Sequence, residues 1–240
     1  MEEQSLAFIT GAGHRLGKVF ALTLARRGYA ILLHHHFAAN EAADTADEIR
    51  ALGVPAYLAQ ADLTEDSDLF SLISVLDSLP HQLKVLVNSA SVMQRTDIRN
   101  TAASDWDATF ALNLRAPFLL AQQAAMRMAE GGLIINISDV GAHKLWTGYP
   151  AYVVSKSALE TLTRLLAKAY APYIRVNAIA PGLVLPSDFV SPNEWKKLTG
   201  RMPLGRPPSQ DEIAAALTFL METPTVTGQT IVVDGGYSLI

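Results

Sequence analysis

Ser5-Leu6-Ala7-Phe8-Ile9-Thr10-Gly11-Ala12-Gly13-His14-Arg15-Leu16-Gly17 is the stretch that decides the fold. Residues 5–10 form a short, mostly apolar run that fits a buried strand. Glycines at 11, 13 and 17 follow at once. From Leu16 to Arg27 the apolar residues take helical spacing, and Gly28 stands where a helix stops. Strand, glycine turn and helix open a βαβ unit. Glycine lets the backbone turn tightly and come close to a ligand. The helix then offers free N–H groups and its positive end to an anion. Such a loop can cradle a pyrophosphate, although a tight turn with no ligand gives the same pattern.

Outward from this loop, short apolar runs at 30–34, 56–61, 84–88, 133–137, 175–178 and 229–233 read as further strands. Between them lie helical stretches: Asn40 (as a cap) to Leu52, Thr64 to Leu79, Ser104 to Ala129, and Ala151 to Tyr170. This alternation predicts a parallel seven-stranded sheet with helices on both faces, a doubly wound α/β fold. No linker or repeat interrupts it, so residues 1–240 read as a single domain. Prolines at 181, 186, 192, 203, 207 and 208 mark an irregular stretch, whose part at about 183–206 reads as a substrate flap.

Half of the 240 residues are hydrophobic and 18% are charged, enough apolar surface for a sizeable core. A formal charge of −4 gives no basic field for nucleic acid. The chain has no cysteine, which excludes disulfides and thiolate metal sites. Met1-Glu2-Glu3-Gln4 lacks the positive start of a secretory signal, and no apolar run nears the ~20 residues of a membrane helix. A soluble cytoplasmic protein with a small-molecule substrate is the expectation.

Tyr152-Val153-Val154-Ser155-Lys156 carries the chemistry. Residues four apart on a helix share a face. An ammonium beside a phenol favours the phenolate and would lower the tyrosine pKa from about 10, so that a proton can be given at neutral pH. Asp139 follows the fifth strand, 13 residues earlier. Its carboxyl can accept from N–H groups or donate when protonated. Ser138 would take that place if the register shifted. The second strand runs out at His34-His35-His36-Phe37, with no acid before Glu41. A carboxylate that would repel a ribose 2′-phosphate is therefore missing. Alternation puts His34 and His36 on one side, and three successive strand residues cannot converge on a metal ion. Asp62-Leu63 and Asn88-Ser89-Ala90-Ser91 close the third and fourth strands, at the sheet end where ligands bind.

In this order and spacing the motifs resemble the short-chain dehydrogenase/reductase family, from Thr10 to about Gly236. Thr10–Gly17 looks like its Thr-Gly-x-x-x-Gly-x-Gly loop, with Arg15 in place of the middle glycine. Asn88–Ser91, Asn113, Tyr152 with Lys156, Arg175–Gly182 and Val233–Gly236 resemble its later motifs. Arg15, the His34-x-His36 pair and Asp139 resemble the pteridine reductase branch; Met93 stands where that branch has an aromatic, and Phe37 where the family often has an arginine. The resemblance implies NADP(H) held by Gly11, Arg15, Leu16, His34, His36, Asp62, Leu63, Asn88, Ala90, Ser91, Lys156, Pro181 and Gly182. It implies catalysis by Asp139, Tyr152 and Lys156, with Asn113 placing a relay water. The substrate would lie against Ser91, Met93, Asp139, Tyr152 and Leu183, with Trp146 or Phe189 as a further aromatic. Hydride transfer to a reduced pteridine is the implied reaction. Reduction of a 3-oxoacyl thioester or small ketone is the alternative, and a non-catalytic NADP-binding regulator the second. A homotetramer is also implied, with Leu159–Leu166 serving as interface or as core.

Overall fold

Strands that are apolar on both faces need helices above and below them. That is how the seven strands lie in the computed structural model, which describes residues 4–186 and 190–240. They are β1 (Leu6–Ile9), β2 (Ala30–His35), β3 (Ala56–Gln60), β4 (Leu83–Asn88), β5 (Gly132–Ile137), β6 (Ile174–Pro181) and β7 (Thr230–Val233). All pair in parallel, in the order β3-β2-β1-β4-β5-β6-β7. The order reverses between β1 and β4, and a ligand crevice opens at the carboxyl ends on either side of such a switch.

Alternate side chains build two cores. On one face Phe8, Leu32, Leu86 and Ile134 pack with Leu69 of α3 (Asp66–Ser78), Leu120 of α5 (Ala116–Ala125) and Leu166 of α7 (Pro150–Tyr170). On the other, Ile9, Leu33, Val87 and Ile135 meet Phe20 of α1 (Arg15–Ala25), Ile49 of α2 (Ala39–Ala51) and Leu217 of α9 (Gln210–Glu222). The Leu159–Leu166 stretch is divided. Leu159 and Leu166 are core, while Leu165 stands exposed.

Several sequence expectations need correction. Asn40 lies inside α2, whose cap is Ala38 without a side-chain bond. The helix expected over 104–129 is interrupted: α4 (Ala103–Phe110) passes into a π turn at Ala111–Arg115 before α5. The proline-rich stretch is not all irregular, because it holds α8 (Pro192–Thr199), and α9 follows it. Both helices open with a capping box, Ser191 with Glu194 and Ser209 with Glu212. A four-residue helix, α6 (Gly141–Lys144), also lies between β5 and α7. Among the described residues no helix is long and apolar enough to cross a membrane.

Arg175 of β6 shows what its motif does. Its guanidinium donates to the carbonyls of Leu220, Met221, Thr223 and Val226, closing the C-terminal end of α9 and the loop behind it. Beside it the Asn177 amide donates to Val226 O and accepts from Gln229 N. Arg175→Met takes the guanidinium donor from all four carbonyls, while Val226 O keeps the Asn177 amide and Thr223 O the Val226 amide. It should cost about 2–3 kcal/mol of unfolding free energy, read by urea denaturation; a loss within error of zero would refute the capping role.

Candidate active site

The glycine loop is held by close backbone contact. Gly11 has φ +63°, and a Cβ there would meet Ala90 Cα at 2.9 Å. A Cβ on Gly17 would sit 2.0 Å from Gly11 O, so only hydrogen lets the loop close onto α1. The Thr10 hydroxyl accepts from the Ser89 and Ala90 amides at 2.9 and 3.0 Å, tying the ends of β1 and β4 together. Ala90, Pro181 and Gly182 thus line the sheet end with backbone. Gly182 donates to Val233 O, and a Cβ there would meet Asp234 Cβ at 2.7 Å.

Arg15 adopts φ +52°, the glycine-favouring region. An arginine therefore keeps the glycine's backbone shape. Its guanidinium donates to the carbonyls of Pro186 (3.1 Å) and Leu185 (3.3 Å), joining the loop to the segment beyond β6. Leu16 follows, half-buried on α1.

Three expected cofactor contacts turn inward instead. His34 is buried, with Nδ1 accepting from Gly11 N (3.2 Å) and Nε2 facing Ala61 O (3.0 Å). It is a neutral pillar beneath the loop, and burial drives its pKa down to about 4. The Leu63 side chain belongs to the core. The Asn88 amide donates to Asn136 Oδ1, and Asn136 donates to Thr163, a cross-strand chain inside the sheet. His36, in contrast, is partly exposed, stacks on Phe37 at 3.6 Å and lies 3.8 Å from the Asp62 carboxylate. That pair stands at the open sheet end.

At the end of β5 the chemistry gathers. Tyr152 Oη donates to Asp139 Oδ2 at 2.9 Å, and Asp139 Oδ1 accepts from Gly141 N at 2.6 Å. Lys156 Nζ donates to Ile137 O at 2.7 Å and lies 5.7 Å from the Tyr152 ring centre. Ser138 is turned away, its hydroxyl donating to Glu160, which also bonds His143. Asp139, rather than Ser138, therefore faces the tyrosine.

The π turn exposes Asn113 on its inner side, where it is fully buried. Its amide donates to Val92 O and Ser155 Oγ, and its Oδ1 accepts from Val92 N and Ser91 Oγ. It clamps the exit of β4 onto α7.

The electrostatics reverse one expectation. Burial raises the Tyr152 pKa well above 10, and the adjoining Asp139 carboxyl raises it further. Lys156 gives its hydrogen bond to Ile137 O rather than to the phenol. Burial brings Lys156 itself down to about 8 and pushes Asp139 up, the latter against its bonds from Gly141 and Tyr152. The site thus keeps its phenol protonated, as a proton donor. Met93 is exposed and Leu183 half-buried near the opening; Phe189 lies outside the described residues. Trp146 packs against Gly141, where a Cβ would meet its ring at 2.8 Å and Asp139 Oδ1 at 3.0 Å. Among the described residues no cluster of His, Cys, Asp and Glu is placed to hold a metal ion.

Residues 11–238 match the family model described as enoyl-(acyl carrier protein) reductase. An oxidoreductase without assigned substrate from Thermotoga maritima is 33% identical, over 98% of each chain. The 3-oxoacyl-[acyl-carrier-protein] reductase FabG of Staphylococcus aureus is 30% identical over 98% of this chain and 99% of its own. The crystal structure of FolM alternative dihydrofolate reductase 1 from Brucella canis, complexed with NADP, superposes with a TM-score of 0.94. It is 33% identical, over 100% of this chain and 96% of that one.

A carboxyl whose pKa is raised on folding stabilises the protein below the ordinary carboxylate range and costs stability as pH rises through the raised value. Asp139→Asn should therefore melt at a higher temperature than the native chain at pH 8, with the gap closing as pH falls toward about 4. A variant that melts lower at pH 8 would show the carboxylate to be net stabilising.

Proposed function

The chain belongs to the short-chain dehydrogenase/reductase family of oxidoreductases, and we propose that it is an NADPH-dependent reductase of a reduced pteridine, giving the tetrahydro form. The observation that carries this reading is the 2.9 Å bond from Tyr152 Oη to Asp139, with Ser138 directed elsewhere. A carboxyl at this place can bond the N–H edge of a pterin and return a proton to the phenol. The likeness to the Brucella dihydrofolate reductase structure supports it.

The loop fits a dinucleotide, because Gly11 and Gly17 leave the space that a Cβ would fill. Gly11, Arg15 and Leu16 would hold the pyrophosphate side, His36 and Asp62 the adenosine side, and Ala90, Ser91, Lys156, Pro181 and Gly182 the nicotinamide side. Bound NADPH supplies the hydride. The carbon of the substrate's ring imine receives it, and the imine nitrogen takes a proton. Tyr152 holds that proton at Oη, kept there by burial and by Asp139. Asp139 then relays a proton taken up from solvent to the phenolate, so that both groups end as they began. Lys156 would bond the nicotinamide ribose, and its positive charge would favour the phenol's giving up its proton. Asn113 positions the Ser91–Val92 backbone and α7 around them.

The second reading is reduction of a 3-oxoacyl thioester, favoured by the 30% identity to the Staphylococcus FabG reductase. A homotetramer and a cytoplasmic location go with either reading. Phe118 of α5 and Val154 and Leu165 of α7 stand exposed for such an assembly.

NADPH oxidation with dihydrobiopterin, dihydromonapterin, dihydrofolate and a 3-oxoacyl thioester separates the readings. Turnover of the pterins well above the thioester is expected. Tyr152→Phe should lower kcat about 10²–10⁴-fold, the usual worth of a positioned acid. Asp139→Ser should impair pterin reduction and improve carbonyl reduction. Thioester turnover alone would overturn the pteridine reading, and tight NADPH binding without any turnover would leave a non-catalytic regulator.

A further inference from the structure

Beyond the clamp at Asn113 the chain runs from Ser91 and Val92 through Met93 and Gln94 to residues 95–99. Those five residues line an open groove of about 690 Å³ together with Thr147 and Gly148. Both sides of the groove lie close along the chain to residues of the catalytic cleft. On one side Met93 lies two residues before it. On the other, Gly148 lies four residues before Tyr152, and Trp146, two residues earlier still, packs against Gly141. Thr96 N donates to Gly148 O at 3.0 Å and stitches the two sides together.

The loop is built in advance. Asp97 Oδ1 accepts from Arg99 N at 2.7 Å, and Asp97 O accepts from Asn100 N and from the Thr101 hydroxyl, both at 2.9 Å. Thr96 and Thr101 share a hydroxyl bond at 3.0 Å. Two guanidiniums, Arg95 and Arg99, are presented from this frame into the groove, and both residues are exposed. Among the described residues neither forms an ion pair or donates a side-chain hydrogen bond. Asp97, the one acid lining the groove, already spends an oxygen on the Arg99 amide. Two like charges on one short loop repel unless an anion joins them. Guanidinium forks match carboxylates and phosphates in bidentate fashion.

We propose that the groove at Arg95 and Arg99 receives the anionic tail of an extended substrate whose reducible end lies at Tyr152. The ligand class is a reducible head joined by a spacer to carboxylates or phosphates. Two sources share that chemistry: the glutamate carboxylates of a pteroylglutamate such as dihydrofolate, and the phosphates of a coenzyme A or phosphopantetheine thioester. The inference rests on the proposed function only for where the head sits.

The test pairs substrates with the same head and different tails. Dihydrofolate is compared with dihydrobiopterin, and a 3-oxoacyl coenzyme A with the N-acetylcysteamine thioester of the same acyl group. In the native protein kcat/KM should favour the anionic member, less so as NaCl is raised. In Arg95→Gln/Arg99→Gln that preference should fall at least tenfold, through KM rather than kcat. A preference unchanged within twofold, or equal losses for both members of a pair, overturns the proposal. If only the thioester pair turns over, the pteridine reading fails while the groove stands. If neither pair turns over, calorimetry on the NADPH-loaded protein decides with p-aminobenzoylglutamate and coenzyme A. Binding at least tenfold weaker in the double variant supports the groove, and no binding or equal binding overturns it.

Discussion

Three ionisable groups are taken out of water at the end of β5, and most of the local structure exists to make that tolerable. A buried phenol, carboxyl and amine each resist taking their charged form, and each needs a partner. Asp139 has the Gly141 amide and the Tyr152 hydroxyl, and Lys156 has the Ile137 carbonyl. These partners come from the turn into α6, from α7 and from the sheet, so the site forms only when all three are docked. The outcome is a phenol held in its protonated state beside a carboxyl that shares its proton, which suits reduction.

The same economy holds at the dinucleotide end. His34 sits on a strand in a family-like motif, yet both of its ring nitrogens serve backbone groups, Gly11 N and Ala61 O. It fixes the height of the loop over β2 and β3. The groups left for a ligand are therefore backbone amides, Arg15 and the His36–Asp62 pair.

The sheet, its parallel sense and nearly every strand were legible because burial on both faces writes itself as short apolar runs between amphipathic helices. Tyr152, Lys156 and Asp139 were legible from spacing, and the bond between Tyr152 and Asp139 joins two of them. What was not legible depended on direction rather than identity. The sequence pattern puts His34, Leu63 and Asn88 at the sheet end, but cannot show that their side chains turn under it. The sign of the Tyr152 shift was missed because spacing places Lys156 near the ring and says nothing of burial or of the carbonyl that accepts its hydrogen bond. The helices α8 and α9 were missed although Ser191-x-x-Glu194 and Ser209-x-x-Glu212 announce them, the prolines having drawn attention away. The π turn left no sequence mark at all.

Arg15 carries a consequence of its own. A guanidinium anchored on Leu185 O and Pro186 O grows from the very loop that an anionic dinucleotide would occupy. An anion in the loop and the Leu185 and Pro186 carbonyls would draw on the same guanidinium, and whatever binding does to those two bonds the bonds must by reciprocity do to binding. A glycine at this position would leave the two halves of the pocket mute to one another.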